Sequence, residues 1–189
     1  MISAIVLAAG PGTRFGGTKQ LAELRGKPLV QHAVDAATAG GADEIVVVLG
    51  HDADRVRAAL HLPSTGRWVI NHAYAGGMAS SLATGLAHAD PGSEAAVVLL
   101  ADQPGIRALH VRSLMDAFRA RRSPIVRLAF RSGPGPALVA RELWRDVRTL
   151  EGDIGARDLI ARRPELVEQV DMGGDAPVDV DVPEDLERA

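Results

Sequence analysis

The first stretch with chemical potential reads Leu7-Ala8-Ala9-Gly10-Pro11-Gly12-Thr13-Arg14-Phe15-Gly16-Gly17-Thr18-Lys19. Four glycines and a proline fall within the ten residues 10–19. Such a backbone is free to adopt positive φ and to come close to a ligand. Successive N–H groups in a loop of this kind form an anion-binding concavity, and Arg14 and Lys19 add positive charge to it. A polyphosphate is the occupant that suits this chemistry. A purely structural turn would not need two cations among its glycines. Two better-known glycine-rich motifs fail on spacing. Arg14 and Phe15 follow Gly10-Pro11-Gly12 where a dinucleotide fingerprint needs its third glycine, and Lys19 lacks the preceding Gly and following Ser or Thr of a P-loop. Of the 21 cationic residues only Lys19 and Lys27 are lysines. In a chain that uses arginine almost throughout, a lysine marks a place for a compact point charge.

The second chemical group is a set of carboxylates. Asp102 follows Val97-Val98-Leu99-Leu100-Ala101 and precedes Gln103-Pro104, at the expected carboxyl end of a strand. An acid there suits Mg²⁺, which takes oxygen ligands and bridges phosphate oxygens; the competing reading is a turn or helix N-cap aspartate. Asp179 and Asp181 are two residues apart in an extended segment and so share a face. Asp181 also stands before Val182-Pro183, where it can cap a last helix with Pro183 in its first turn.

Three smaller groups complete the candidate list. Asn71, at a strand end, is a candidate to read the base, while Ser80 and Ser81 open a helix whose N-terminus faces the nucleotide or is merely capped by them. In Gly152-Asp153-Ile154-Gly155-Ala156-Arg157, Asp153 either caps a helix or belongs to a lid, and Arg157 suits bidentate pairing with a phosphate of a second substrate. The six histidines show no metal-ligand spacing; His51, after Leu49-Gly50 at a strand end, is the one candidate among them, with a surface turn as the competing reading.

These residues need a scaffold. Near-continuous apolar, β-branched runs at 2–8, 44–49, 68–70, 95–100 and 124–129 read as parallel strands covered on both faces. Helical patterns occupy 29–38, 53–60, 78–87 and 109–121, the last with Val111, Leu114, Met115 and Phe118 on one stripe. Strand alternating with helix predicts a three-layer, doubly wound α/β sheet, which binds ligands beyond the carboxyl ends of its strands. After Pro124 the rhythm loosens into a Gly133-Pro134-Gly135-Pro136 segment, helical stretches near 141–148 and 154–162, and a short 177–182 run. Residues 1–189 are expected to form one domain, with a nucleotide-binding half, 1–123, and an acceptor-binding, site-completing half, 124–189. Trp68, Trp144 and Phe118 read as core.

Composition narrows the classes. At 189 residues and 47% hydrophobic, the chain is long enough for one core. It has no cysteine, so disulfides, thiolate metal sites and cysteine nucleophiles are excluded. A net charge of −3 with scattered cations does not suggest a nucleic-acid surface. No apolar run approaches the ~20 residues of a membrane span, and no basic leader precedes the first strand, so a cytoplasmic protein without membrane partners is expected.

The loop Leu-Ala-Ala-Gly-x-Gly-x-Arg-x-Gly-x-x-Lys resembles the signature of nucleotidyltransferases that activate sugars, isoprenoid precursors and molybdopterin, and most of all the molybdenum cofactor cytidylyltransferase branch. The resemblance runs on through Asn71, Gly76-Gly77-Met78-Ala79-Ser80-Ser81-Leu82 and Gly85, then Ala101-Asp102-Gln103-Pro104, Gly152–Arg157, and Asp179-Val180-Asp181-Val182-Pro183-Glu184-Asp185. It implies a Rossmann-like nucleotidyltransferase fold and nucleotide contacts from Leu7, Ala8, Ala9, Gly10, Gly12, Arg14 and Lys19. It also implies Mg²⁺ held by Asp102 and Asp181, with Asp179 in reserve. The Ala8-Ala9-Gly10 opening is similar to that of the CTP-using members, and molybdopterin is the implied acceptor, with a molybdoenzyme or its maturation factor as client. Two departures stand out. Gly135-Pro136-Ala137-Leu138 lacks the family's His, and Val182 replaces a Thr. Rival expectations are an NAD(P)H-dependent oxidoreductase on the same scaffold, as a few relatives are labelled, and a non-catalytic nucleotide- or molybdopterin-binding maturation partner.

Overall fold

All seven residues of the first strand, β1 (Ile2–Ala8), are buried. A strand with no exposed face has to be covered from both sides, and the computed structural model, which describes residues 1–147, 149, 150, 152 and 156–189, shows how. After β1 come a two-residue hairpin, β2 (Glu23–Leu24) and β3 (Lys27–Pro28), and helix α1 (Leu29–Gly40). Next are β4 (Glu44–Leu49), α2 (Ala53–Ala59), β5 (Gly66–Ile70), α3 (Met78–Ala87), β6 (Ala95–Leu100) and α4 (Ala108–Arg121). The remainder is β7 (Ile125–Phe130), β8 (Gly133–Ala140), α5 (Trp144–Val147), α6 (Ala156–Arg162) and β9 (Val167–Asp171), with short 3₁₀ turns between elements.

The seven-stranded sheet has the order β5-β4-β1-β6-β8-β7-β9. Neighbours pair in parallel except β8, which is antiparallel to both β6 and β7. One face packs against Val30 and Val34 of α1 and Val111, Leu114, Met115 and Phe118 of α4. The other carries Leu82 and Leu86 of α3, Trp144 and Val147 of α5, and Leu159 and Ile160 of α6. This is the expected three-layer α/β domain. Helix α3 sits so close to the sheet that a Cβ on Gly85 would lie 2.4 Å from Ile5 Cγ2. Only glycine permits that approach. No described helix is long and apolar enough to cross a membrane.

The second half departs from expectation in several places. The Gly133-Pro134-Gly135-Pro136 segment, for which no strand was expected, opens a strand that runs to Ala140. Pro134 is tolerated because 133–134 pair with β7 alone, and Pro136 falls in the irregular stretch that neither ladder includes, the β6 ladder beginning only at Ala137; a proline belongs at a bulge or where one side of a strand makes no ladder bonds. Residues 167–171 form a strand that sequence reading passed over, and 177–182 make no ladder at all. The helical stretch near 141–148 divides into a 3₁₀ turn, Arg141–Leu143, and α5. Trp68 is not core: it lies on the edge strand, 39% exposed, with the Arg57 guanidinium 5.1 Å above its ring. Because β7, β8 and β9 join the same sheet, residues 124–189 extend one domain.

Candidate active site

β1 and β6 are parallel neighbours, with Leu7 opposite Leu100. The glycine-rich loop after β1 and the turn after β6 therefore leave the same sheet edge side by side, and the Ala101 N–H donates to Leu7 O at 3.1 Å. The loop is folded back on itself. Phe15 N–H donates to Gly12 O at 3.0 Å, Gln20 Nε2 donates to Gly10 O at 2.7 Å, and the Thr18 hydroxyl donates to Asp52. Gly12 has φ +61°, and a Cβ there would lie 2.4 Å from Gly17 O. Gly12→Ala is expected to cost about 1–3 kcal/mol of local strain, weakening triphosphate binding by roughly 5- to 150-fold in calorimetry. Wild-type affinity in that variant would contradict a backbone cradle.

The folded loop delivers Lys19 to the carboxylates. Its Nζ donates to Asp102 Oδ2 at 2.7 Å, Val180 O at 3.1 Å and Asp181 Oδ1 at 3.2 Å. Arg14 pairs with the other Asp181 oxygen at 2.9 Å. Lys19 and Asp102 are mostly enclosed, with side chains 14% and 24% exposed, whereas Arg14 is 76% exposed. Burial alone would lower the Lys19 pKa, but Asp102 and then Asp181 outweigh it and hold the ammonium above its ordinary value. Lys19 is thus charged at neutral pH.

Neither aspartate acts as a helix cap. Asp102 Oδ1 is buried without a partner, and both Asp181 oxygens face cations. The capping is done by Asp185, whose Oδ2 accepts the Asp181 and Val182 N–H groups at 2.9 and 3.0 Å, while Arg188 holds its other oxygen. The Val182 and Asp181 amides, with Arg188, keep the Asp185 carboxyl below the ordinary aspartate pKa. A depressed folded pKa stabilises the protein above the unfolded value, and that contribution is lost as pH falls through the folded one. Asp185→Asn is expected to lower the neutral-pH Tm and to flatten its acid limb, measured by thermal melts between pH 3 and 7. An unchanged acid limb would refute this role.

Asp179 lies beside the pair, its Oδ1 accepting from Gln103 Nε2 at 2.7 Å. Burial, reinforced by the charges of Asp102 and Asp181, pushes its carboxyl above the ordinary value despite that bond. The strap that carries it is pinned by Val180 N–H donating to Asp102 O at 2.9 Å.

Arg14, Lys19, Asp102 and Asp181 border a cleft of about 410 Å³. Of the sequence candidates, Leu7, Ala9, Gly10, Gly12, Arg14, Lys19, Ser81, Asp102 and Asp181 line it. Ala8 is buried beneath the cleft wall. Asn71 is placed differently from a base reader: it is 4% exposed, its Nδ2 donates to the Ser80 and Ser81 hydroxyls at 2.9 and 3.0 Å, and its Oδ1 accepts the Ala73 N–H. Ser80 is likewise spent on the Gly77 and Ala73 carbonyls rather than on the cleft. Arg157 is exposed on the first turn of α6, away from the lining, and Asp153 lies outside the described residues. His51 stays off the lining too, with its ring edge-on to Tyr74 at 6.2 Å. Sequence reading missed the apolar wall of Tyr74, Met78 and Leu100. Met78 was within a noted block, whereas nothing local to Tyr74 marks it.

The donor set fits a hard divalent cation. Its atoms are carboxylate oxygens, one of them an orphaned buried acceptor, and no described cluster gathers three or more His, Asp or Glu that could hold an ion. One or two carboxylates plus substrate phosphates is how Mg²⁺ is usually bound.

Comparison with known proteins agrees with this geometry. Nicotine blue oxidoreductase of Paenarthrobacter nicotinovorans is 34% identical over 198 residues, 99% of this chain and 95% of that protein. The crystal structure of Rv0371c from Mycobacterium tuberculosis H37Rv is 30% identical, with a TM-score of 0.87 over 99% of this chain and 95% of that one. The manganese complex of Rv0371C has a TM-score of 0.84 at 29% identity, covering 99% and 96%. A nucleotidyl transferase from Methanothermobacter thermautotroptrophicus, Mth528, superposes with a TM-score of 0.81 at 28% identity, covering 100% and 95%. Residues 4–169 match the family described as the MobA-like NTP transferase domain. The glycine-rich cradle, its Lys19 and the two aspartates at one sheet edge are thus features of a chain that belongs to the MobA-like NTP transferase family.

Proposed function

We propose that the protein transfers a nucleoside monophosphate, CMP from CTP, onto a phosphorylated acceptor, molybdopterin, and releases pyrophosphate. The observation that carries this reading is the convergence of Lys19 on Asp102 and Asp181 at the mouth of the cleft. Nucleotidyl transfer needs little covalent help from protein; positioning and charge neutralisation do most of the work. The loop amides would hold the β- and γ-phosphates, with Arg14 and Lys19 neutralising the charge that grows on the leaving pyrophosphate. An acceptor phosphate oxygen attacks the α-phosphorus in line, the α–β bridging bond breaks, and no protein nucleophile takes part. Asp102 and Asp181 would hold Mg²⁺, which supplies Lewis-acid polarisation of the phosphates. The solved manganese complex of the similar Rv0371C supports a divalent ion in this family. The half spanning 124–189 would receive the acceptor, with Asp153 and Arg157 as contacts, and CTP is favoured by the Ala8-Ala9-Gly10 opening.

The test is pyrophosphate release with Mg²⁺ and each of the four nucleoside triphosphates, with and without molybdopterin. Release with CTP that depends on molybdopterin is the expected result, and no release with any triphosphate would overturn the reading. A second reading rests on the 34% identity to nicotine blue oxidoreductase along nearly the whole chain. It assigns NAD(P)H-dependent reduction, and oxidation of NADH coupled to a quinone-like dye, without pyrophosphate release, would select it.

A further inference from the structure

Among the described residues four side-chain atoms are buried without any hydrogen-bond partner: Gln20 Oε1, His51 Nδ1, Asp102 Oδ1 and Arg127 Nε. Orphaned buried polar groups are uncommon and call for an explanation, often an absent ligand. Gln20 and Asp102 line the nucleotide cleft and His51 packs on Tyr74, which also lines it, so three of the four gather around one site. Arg127 is apart from them. It is a partly buried arginine in mid-strand whose side chain makes no ion pair or hydrogen bond to any described residue. The contrast with Glu44 is instructive, since that buried charge is met by Arg67 at 2.5 Å and by the Ser3 hydroxyl at 2.6 Å. A guanidinium is always charged and carries five donors, and among the described residues nothing accepts from this one, whose Nε is buried, so its donors are available to an anion.

Its position says which anion. Ile125, Ala137 and Val139 face the α3–α5–α6 layer, and alternation along β7 puts Arg127 on that same face. The register forms one row across the sheet, Val98–Ala137–Arg127–Gln169. β7 runs parallel to β1 and β6 in this sheet, so beyond Arg127 lies the edge that carries the cleft. Toward that edge β7 offers only the methyl of Ala129 on this face, and β6 offers Leu100, itself a cleft-lining residue. The ladder is irregular here, with Gly135 and Pro136 of β8 opposite the single residue Leu128 of β7, and such irregularities recur beside active sites.

We propose that Arg127 is the binding residue for an oxyanionic group of the acceptor, entering from the β6–β8–β7 side of the cleft opposite the glycine-rich loop. This rests on the nucleotidyl-transfer reading. It assigns an anion contact to the half of the sheet where the Gly135-Pro136 segment lacks a histidine. An acceptor held there by a planar fork would be fixed in orientation as well as by charge.

The arginine Nε–H signals of the full chain, in ¹H–¹⁵N spectra recorded with Mg²⁺ and CTP occupying the cleft, test this directly. Arg127 is assigned by its loss in Arg127→Lys. Titration with inorganic phosphate is expected to move the Arg127 signal. In Arg127→Gln the phosphate Kd should rise at least tenfold with the CTP Kd unchanged, and Arg127→Lys should fall between. Acetate serves as the second arm: a larger response to acetate than to phosphate assigns the anion as a carboxylate. No movement with either anion, or unaltered phosphate binding in Arg127→Gln, overturns the proposal, and the wild-type spectrum, assigned through the conservative Arg127→Lys, gives this answer even if Arg127→Gln folds poorly. A wild-type protein that releases no pyrophosphate yet shows the Arg127 response sinks the transfer reaction and keeps the anion site.

Discussion

Lys19→Ala is expected to reduce pyrophosphate release by about 10²–10³-fold, the usual consequence of removing one charge-stabilising donor from a transition state, while the protein stays folded. Lys19 is held by three acceptors from two distant segments, Asp102, Val180 and Asp181, so its ammonium is positioned before any substrate arrives. Its folded pKa is raised, so the stabilisation it brings is fully present below the ordinary lysine value and is lost only as pH climbs through the folded one. At neutral pH its charge is therefore intact. Removing it leaves two carboxylates facing each other, but Asp181 is 43% exposed and solvent screens the repulsion. The stability loss should be about 1–2 kcal/mol. The same change frees Asp102 and Asp181 of their competing cation, so Mn²⁺ titrated without nucleotide is expected to bind more tightly to the variant. Normal turnover in Lys19→Ala would remove the lysine from the mechanism, and unfolding without tighter Mn²⁺ binding would recast it as a structural ion pair.

Asp102→Asn carries the second large effect. Asp102 Oδ1 is buried and bare, while Oδ2 engages Lys19, so one carboxylate has an oxygen for a cation and another for the ammonium. Losing the anionic ligand should lower metal-dependent turnover by about 4 kcal/mol, or roughly 10³-fold, and should weaken Mn²⁺ binding measured by calorimetry. Asp179→Asn is the control. Its Oδ1 is engaged by the Gln103 amide, whereas Lys19 and Arg14 pair with Asp102 and Asp181, so a neutral amide at 179 should cost far less. Equal losses in both variants would show that the aspartates act as an undivided cluster, with no distinct ligand at 102.

The scaffold was legible where apolar runs are long and both ends are marked. The bounds expected for β1, β4, β6 and α3 coincide with those observed. It was illegible where context overrides local preference. Pro134 and Pro136 argue against a strand, yet the absence of a β6 partner at 133–134 makes one possible. Trp68 reads as core by type, but an edge position and the Arg57 guanidinium make exposure acceptable. Asn71 reads as a free amide until Ser80, Ser81 and Ala73 are found to consume it.

Residue order along the chain by itself determined the α/β alternation, the anion-binding character of residues 10–19 and the carboxylates that accompany it. These follow from periodicity, glycine content and side-chain chemistry, all local properties. Only the tertiary structure decided which groups meet. Lys19 reaches Asp102 across 83 residues and Asp181 across 162, and the strand order, with β1 beside β6 and the 177–182 strap over both, makes them neighbours. The same order sets Arg127 on the face shared with α3, α5 and α6, where no described residue pairs with its side chain. The cost of an unpaired buried charge depends on what surrounds it, and spacing along the chain contains no record of that.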